Sequence, residues 1–268
     1  MDVKSIYPYY YGSSQPSYIS PFISNWYNAL SVKPSQSLLD SLNELYDGID
    51  ADSNMLFDLL HPIGGLETME QRVTPIISTS GTSFVNVNGG TLNANGFTGD
   101  GATSYLNLNW NPSTNGVNYS LNNACFGVYS RTNSQSANAD MGCADPVLLR
   151  FSQIYCRYID DSLFIRINQG VGLSNKTTSD SLGLKVGARN DSATIETFDK
   201  GTSLGTNSIN STGLPNLPLF LGALNLDGSA AQFNNRNYAL VMAGSANINQ
   251  GEVNTRVQTY MTQRGIQV

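Results

Sequence analysis

From about residue 80 the apolar residues fall at every second position, in one short segment after another, to about residue 248. "SFVNVN", "SYLNLNW", "CFGVYS", "VLLRFSQIYCRYI", "SLFIRIN", "LGLKVGAR", "ATIETF", "LPLFLGAL" and "QFNNRNYALVMAG" all read as strands. Polar turn signals separate them: Asn88-Gly89-Gly90, Gly99-Asp100-Gly101, Asp160-Asp161, Asp199-Lys200-Gly201 and Asp227-Gly228. No helical pattern intervenes, so a parallel sheet with crossover helices is excluded. The pattern predicts a mainly β fold, an antiparallel two-sheet sandwich.

The flanks have a different period. In "PSQSLLDSLNELYDG", Leu38, Leu42 and Leu45 recur at helical spacing, with Pro34 or Ser35 to open the helix and Gly48 to close it. "DSNMLFDLLHP" is expected to form a second helix ending at Pro62, and "LETMEQRV" a further turn. "NQGEVNTRVQTYMTQRG" predicts a C-terminal helix with Asn249 and Glu252 as a capping box, Val253, Val257, Tyr260 and Met261 on one face, and Gly265 as its C′ residue. The expected segmentation is an arm over 1–24, a helical lead-in over 25–79, the sandwich over 80–248 and the C-terminal helix and tail over 249–268.

The arm "IYPYYYGSSQPSYISPF" carries Tyr7, Tyr9, Tyr10, Tyr11 and Tyr18 between prolines. Proline favours extended backbone, and tyrosines offer contact area at low entropic cost. The expectation is an anchoring strand laid across another polypeptide.

Composition removes several functions. Charged residues make up 13% of the 268, about half the usual quarter, and the net charge is -6. With no basic patch to neutralise phosphates, nucleic acid is not an expected partner. No apolar run is long enough for a membrane helix, and the start "MDVKSIYPYYYG" lacks a signal-peptide pattern. Synthesis in a cytoplasm without a cleaved export signal is the expectation.

Little in the chain offers chemistry. Cys125, Cys143 and Cys156 have no metal-ligand spacing and read as buried thiols. His61 is the only histidine, so no zinc cluster forms around it, and its place before Pro62 predicts a capping or exposed side chain. "DGIDADSN" starts like a calcium loop at Asp50, Asp52 and Asn54, but Met55 stands where the loop needs Gly. Asp160 with Asp161, and Glu196 with Asp199, are the carboxylate pairs available for glycoside hydrolysis, and both fit turns better. No cofactor is expected. Sugar binding needs an aromatic platform beside amides. Trp110 with Asn111 is the candidate, set against the reading that Trp110 only closes the sandwich edge. In "GFTGDGATSYLNLNW", Gly99-Asp100-Gly101 is expected to turn a hairpin, with Leu106, Leu108 and Trp110 on one strand face and Asn111-Pro112 as the exit turn.

The order of the blocks "NGFTGDGATSYLNLNWNPST", "YSLNNACFGVYSRTN", "ADMGCAD", "LGLKVGARNDS", "LPNLPLFLGALNLDG", "FNNRNYALVMAG" and "VNTRVQTYMTQRG" resembles the concanavalin A-like, laminin-G-type domains of bacteriophage tail and fibre proteins. "WYNALSVKPSQSLLDSLNELYDGID" is similar to their helical lead-in, so the resemblance spans roughly residues 25 to 268. It implies a jelly-roll sandwich in a virion, present as an oligomer within the particle. It also implies a non-enzymatic structural role and possession of a lectin-like module for host-surface glycans. The Glu-x-Asp-x-x-Glu motif of glycosidases on this fold is absent. A carbohydrate-binding receptor module and a glycan hydrolase are the alternatives.

Overall fold

Alternating strands with one face wetted by polar turns must close their apolar faces on each other, and the chain does so in two sheets. The computed structural model describes residue 16, residues 18–172 and residues 174–268. The chain opens with α1 (Pro21–Ala29) and α2 (Gln36–Ser53), then β1 (Phe57–Pro62), α3 (Met69–Val73), β2 (Ile77–Ser78), β3 (Val85–Val87), β4 (Thr91–Asn93), β5 (Gly96–Thr98), β6 (Tyr105–Asn107) and α4 (Pro112–Asn115). There follow β7 (Ala124–Ser130), β8 (Met141–Asp145), β9 (Arg150–Tyr155), β10 (Ser162–Gln169), β11 (Ser174–Thr177), β12 (Gly183–Arg189), β13 (Thr194–Asp199) and β14 (Thr202–Ser208). The last elements are β15 (Phe220–Leu221), β16 (Leu224–Leu226), β17 (Ser229–Ala231), β18 (Asn237–Gly244) and α5 (Gln250–Gln263).

One sheet runs β14-β13-β12-β7-β18-β1-β2, with β5 added to β18 and β4 to β5. The other runs β11-β10-β9-β8-β15-β6-β3, with β16 beside β8 and β17 beside β16. All pairs are antiparallel except β16 with β8. The fold is therefore a mainly antiparallel two-sheet sandwich with few helices, as the period-two pattern predicts. Between the sheets Phe126, Val128 and Val241 of the first meet Ile154, Leu163, Ile165 and Ile167 of the second. The hairpin turns at Asp199-Lys200-Gly201 and Asp227-Gly228 form as expected: Lys200, Gly201, Asp227 and Gly228 all hold positive φ and join paired strands.

The two faces of the sandwich are treated differently. The outer face of the first sheet is covered by helices: Leu38, Leu42 and Ile49 of α2 and Val253 and Val257 of α5 pack on Tyr129, Leu184, Val186, Leu240 and Met242. Tyr46 and Tyr260 are buried there and donate to the backbone oxygens of Leu60 and Gly64. The α5 face is the predicted one, and Asn249 caps it by accepting from the Gly251 and Glu252 N–H groups. The Asn249 N–H goes to Ser53 Oγ. Among the described residues no helix packs on the outer face of the second sheet.

The sequence reading needs four corrections. Residues 57–62 are not a helix but β1, a strand between β18 and β2 buried on both sides. A short segment without alternation is ambiguous between the two states, and burial on both faces, here including Asp58 and His61, removes the alternation. Gly48 does not end α2, which runs on to a left-handed Asn54. Gly48 instead lets α5 approach, since a Cβ there would lie 2.7 Å from Arg256 Nε. The Gly99–Ser104 stretch is not a hairpin turn. It is an arch between β5 in one sheet and β6 in the other, tied by the Asp100 carboxylate accepting from the N–H groups of Ala102, Thr103 and Ser104. These bonds hold the Asp100 carboxyl well below the usual carboxylate range, led by Ser104 N–H. Lastly, the arm does not reach to residue 24. Ser20 caps α1, Ile23 is fully buried, and Asn43 of α2 pairs with the Ser20 N–H and the Tyr18 carbonyl. Tyr7, Tyr9, Tyr10 and Tyr11 lie outside the described residues.

Candidate functional site

Two adjacent strands with long outward side chains build a groove on the uncovered face. On β10 the alternation places Leu163, Ile165 and Ile167 in the core and turns Ser162, Phe164 and Arg166 outward. On β9, Ile154 goes inward while Phe151, Gln153 and Tyr155 go outward. The antiparallel register sets Phe164 beside Tyr155 and Arg166 beside Gln153. Gly142 is the β8 neighbour of Gln153 and adds no side chain on that flank. Tyr158 and Asp160 from the β9–β10 turn and Gln232 after β17 complete a groove of about 260 Å³.

The aromatic frame is rigid. Tyr155 meets Phe164 edge to face at 4.9 Å and Tyr158 at 5.8 Å between ring centroids. Tyr155 Oη donates to Gln232 Oε1 at 2.6 Å. Burial pushes the Tyr155 phenol up to about 12, so it stays a neutral donor. The Arg166 guanidinium stacks over Phe151 at 4.8 Å and over Phe164 at 5.4 Å. Its Nε donates to the Gly172 carbonyl at 3.3 Å, and no carboxylate among the described residues pairs with it. At the other end Asp160 Oδ1 accepts from the Ser162 N–H at 3.1 Å and from Ser162 Oγ. The arrangement offers ring faces flanked by amides, a cation at one end and a carboxylate at the other.

The residues singled out from sequence lie elsewhere. Trp110 is not an exposed platform. It is fully buried, edge to face with Tyr119 at 5.4 Å, and its Nε1 donates to Thr79 Oγ1 at 3.0 Å. Leu106, Leu108 and Trp110 do share one face, and it is the core face. Asn111 caps α4, accepting from the Ser113 N–H at 2.9 Å and donating to Asn216. His61 is neither cap nor exposed. It is fully buried, with Nδ1 accepting from the Ile76 N–H at 3.2 Å and Nε2 facing the Arg72 carbonyl at 3.1 Å. Burial lowers its pKa to about 3. The three cysteines are free and buried, and burial raises the Cys125 thiol to about 12. Asp161 pairs with Arg157 at 2.6 Å, Glu196 accepts from Ser203 Oγ, and Asp199 pairs with Lys185 at 2.5 Å. Among the described residues no cluster of His, Cys, Asp or Glu is placed to hold a metal ion, and no helix is long and apolar enough to cross a membrane.

This geometry defines a β-sandwich with one helix-covered face and one open, aromatic-lined face. A solved structure shares its fold. A mutant Trypanosoma rangeli sialidase displaying trans-sialidase activity superposes with a TM-score of 0.53 at 12% identity, over 87% of this chain and 39% of that one. The match thus spans well under half of the sialidase. Domain 4 of AbnA, a GH43 extracellular arabinanase from Geobacillus stearothermophilus in complex with arabinotriose, gives 0.47 at 13% identity over 75% and 98% of the two chains. The Ruminococcus gnavus IT-sialidase CBM40 bound to α2,3-sialyllactose gives 0.38 at 10% identity over 47% and 76%. No protein-family model and no curated protein matches the sequence.

Proposed function

We propose that this chain is a non-catalytic saccharide-binding module, and that its binding surface is the groove on the outer face of β9 and β10. The observation that carries the reading is the frame of Tyr155, Tyr158 and Phe164 beside Gln153, Asn175 and Gln232, on a face that no helix among the described residues covers. A pyranose presents apolar C–H faces and a rim of hydroxyls, which such a frame meets with ring faces and amides. A non-enzymatic role is supported by the lining, in which Asp160 is the one carboxylate among the described residues. Glycoside hydrolysis by paired carboxylates needs two, about 5–9.5 Å apart.

Screening the protein on a glycan array, then titrating the best ligand calorimetrically, tests this reading. Phe164→Ala and Tyr158→Ala are expected to weaken binding about tenfold each, while Trp110→Phe leaves it unchanged. A silent array, or a ligand indifferent to both groove variants, refutes it.

The finer reading rests on the block order in the sequence. It makes the module a concanavalin A-like virion protein of a bacteriophage tail, fibre or head appendage, oligomeric within the particle. Its joints to other virion proteins run through the arm, now residues 1–17 because 18–24 pack on α2. Mass spectrometry of purified particles tests the location, and deletion of residues 1–17 tests the joint. Absence from the particle, or normal incorporation of the truncated chain, contradicts it.

A further inference from the structure

We propose that the groove selects saccharides that carry a carboxylate, through Arg166 and Gln153; this rests on the saccharide-binding reading above. Arg166 is the cation that borders the groove. Three features make it a receptor rather than a solvated surface charge. It is clamped between the rings of Phe151 and Phe164, so its plane is fixed before any ligand arrives. Of its donors only Nε has a partner among the described residues, the Gly172 carbonyl, which leaves the terminal nitrogens for a ligand. No aspartate or glutamate among the described residues neutralises it, although the chain carries 20 of them and a net charge of -6.

Gln153 is the second observation. It is 3% exposed, lies directly across from Arg166 in the β9–β10 register and lines the same groove. Its side-chain amide makes no hydrogen bond to another described residue. Its tip is not enclosed but borders the groove, so it adds a neutral donor, open to water or to a ligand atom, beside the guanidinium. A guanidinium in a fixed plane beside an amide N–H presents several donors to one planar anion, which is the arrangement that recognises a carboxylate bidentately.

The groove also has a direction. Ser162, Phe164 and Arg166 are successive outward positions on β10, which puts the Asp160–Ser162 end about 13 Å from the Arg166 end at strand spacing. The acid group of a ligand sits at Arg166, its sugar ring against Phe164 and Tyr158, and neutral hydroxyls donate to Asp160. A carboxylate at the Asp160 end would meet like charge.

The carboxylate has two saccharide sources, hexuronic acids and nonulosonic acids, and the test separates them. The full chain is titrated with trigalacturonic acid against its methyl ester, and with 3′-sialyllactose against lactose. The proposal expects at least one acid to bind about tenfold or more tightly than its neutral counterpart, the advantage of a charged over a neutral hydrogen-bond pair. Arg166→Gln brings the ratio of acid to neutral affinity to about one, and Arg166→Lys, which keeps the charge but not the fork, keeps only part of the preference. Equal binding of acid and neutral forms, or a preference that survives Arg166→Gln, overturns the proposal and leaves the saccharide reading standing. Failure of all four sugars in a protein that binds a neutral glycan on the array also overturns the proposal alone. A silent array overturns the saccharide reading itself.

Discussion

The buried His61 makes the stability of this fold depend on pH between about 7 and 5. The ring is fully buried, edge to face with Phe84 at 5.4 Å, and its neutral form satisfies both nitrogens against the Ile76 N–H and the Arg72 carbonyl. Protonation would place a charge there with only a carbonyl to receive it. Burial lowers the folded-state pKa to about 3 from 6.5. Between those values the unfolded chain binds the proton and the folded chain does not, so stability rises with pH through this window and falls on acidification. The loss from His61 amounts to about 2 kcal/mol between roughly pH 7 and pH 5, and approaches about 5 kcal/mol near pH 3. His61 is the only histidine, and ordinary carboxylates titrate chiefly below about pH 4.5, so the upper part of the slope belongs to this one ring. Urea unfolding of the wild type and of His61→Gln at about pH 7, 6 and 5 measures it. The wild type is expected to lose about 2 kcal/mol on acidification and the variant, though weaker at neutral pH, to stay nearly flat. A flat wild type, or a variant with the same slope, refutes the account of a buried neutral imidazole.

Further outcomes follow from the core. Arg236 and Asp140 form a fully buried ion pair, with Arg236 Nη1 2.5 Å from Asp140 Oδ2 and Tyr238 Oη donating to Asp140 Oδ1 at 2.7 Å, so Asp140→Ala is expected to cost about 3–5 kcal/mol in denaturant unfolding. A loss under about 1 kcal/mol contradicts that reading. Gly96→Ala should prevent stable folding, because at φ 113° its Cβ would lie 2.0 Å from the Tyr238 carbonyl oxygen. Recovery of the variant with a wild-type melting temperature speaks against the β5–β18 register. Trp110→Ala is expected to destabilise by about 3–5 kcal/mol, as a large core ring does, with thermal unfolding as the readout.

Much of the fold is legible in the sequence because short apolar or alternating segments are set apart by polar turns, which marks β7, β12 and β18 even though both of their faces are buried. The α5 stripe of Val253, Val257, Tyr260 and Met261 is legible from its helical period. The failures share a cause: the deciding partner is distant in sequence. Leu60 packs under the helices and Leu59 between the sheets, so both faces of β1 are buried and its pattern carries no face. Gly48 marks a close approach of Arg256 rather than a helix end. Alternation groups Trp110 correctly with Leu106 and Leu108 but does not say which face is inside. The groove shows the same limit. "FSQIYC" and "SLFIRIN" read as strands, and in each both faces carry bulky apolar residues. Only the placement of helices over the other sheet leaves Phe164, Arg166 and Tyr155 as the face open to a ligand. The bond from Tyr155 to Gln232 spans 77 residues, a pairing no local pattern encodes.

The central claim is that the open face of the second sheet is where a saccharide sits. Backbone and arginine side-chain NMR shifts, followed while the best array ligand is titrated into labelled protein, test it most directly. The account predicts shifts concentrated on residues 153–166, on Asn175 and Gln232, and on the Arg166 side chain, with the Trp110 indole unmoved. Shifts clustered around Trp110 and Asn111, or on the α2 and α5 surface, would contradict it.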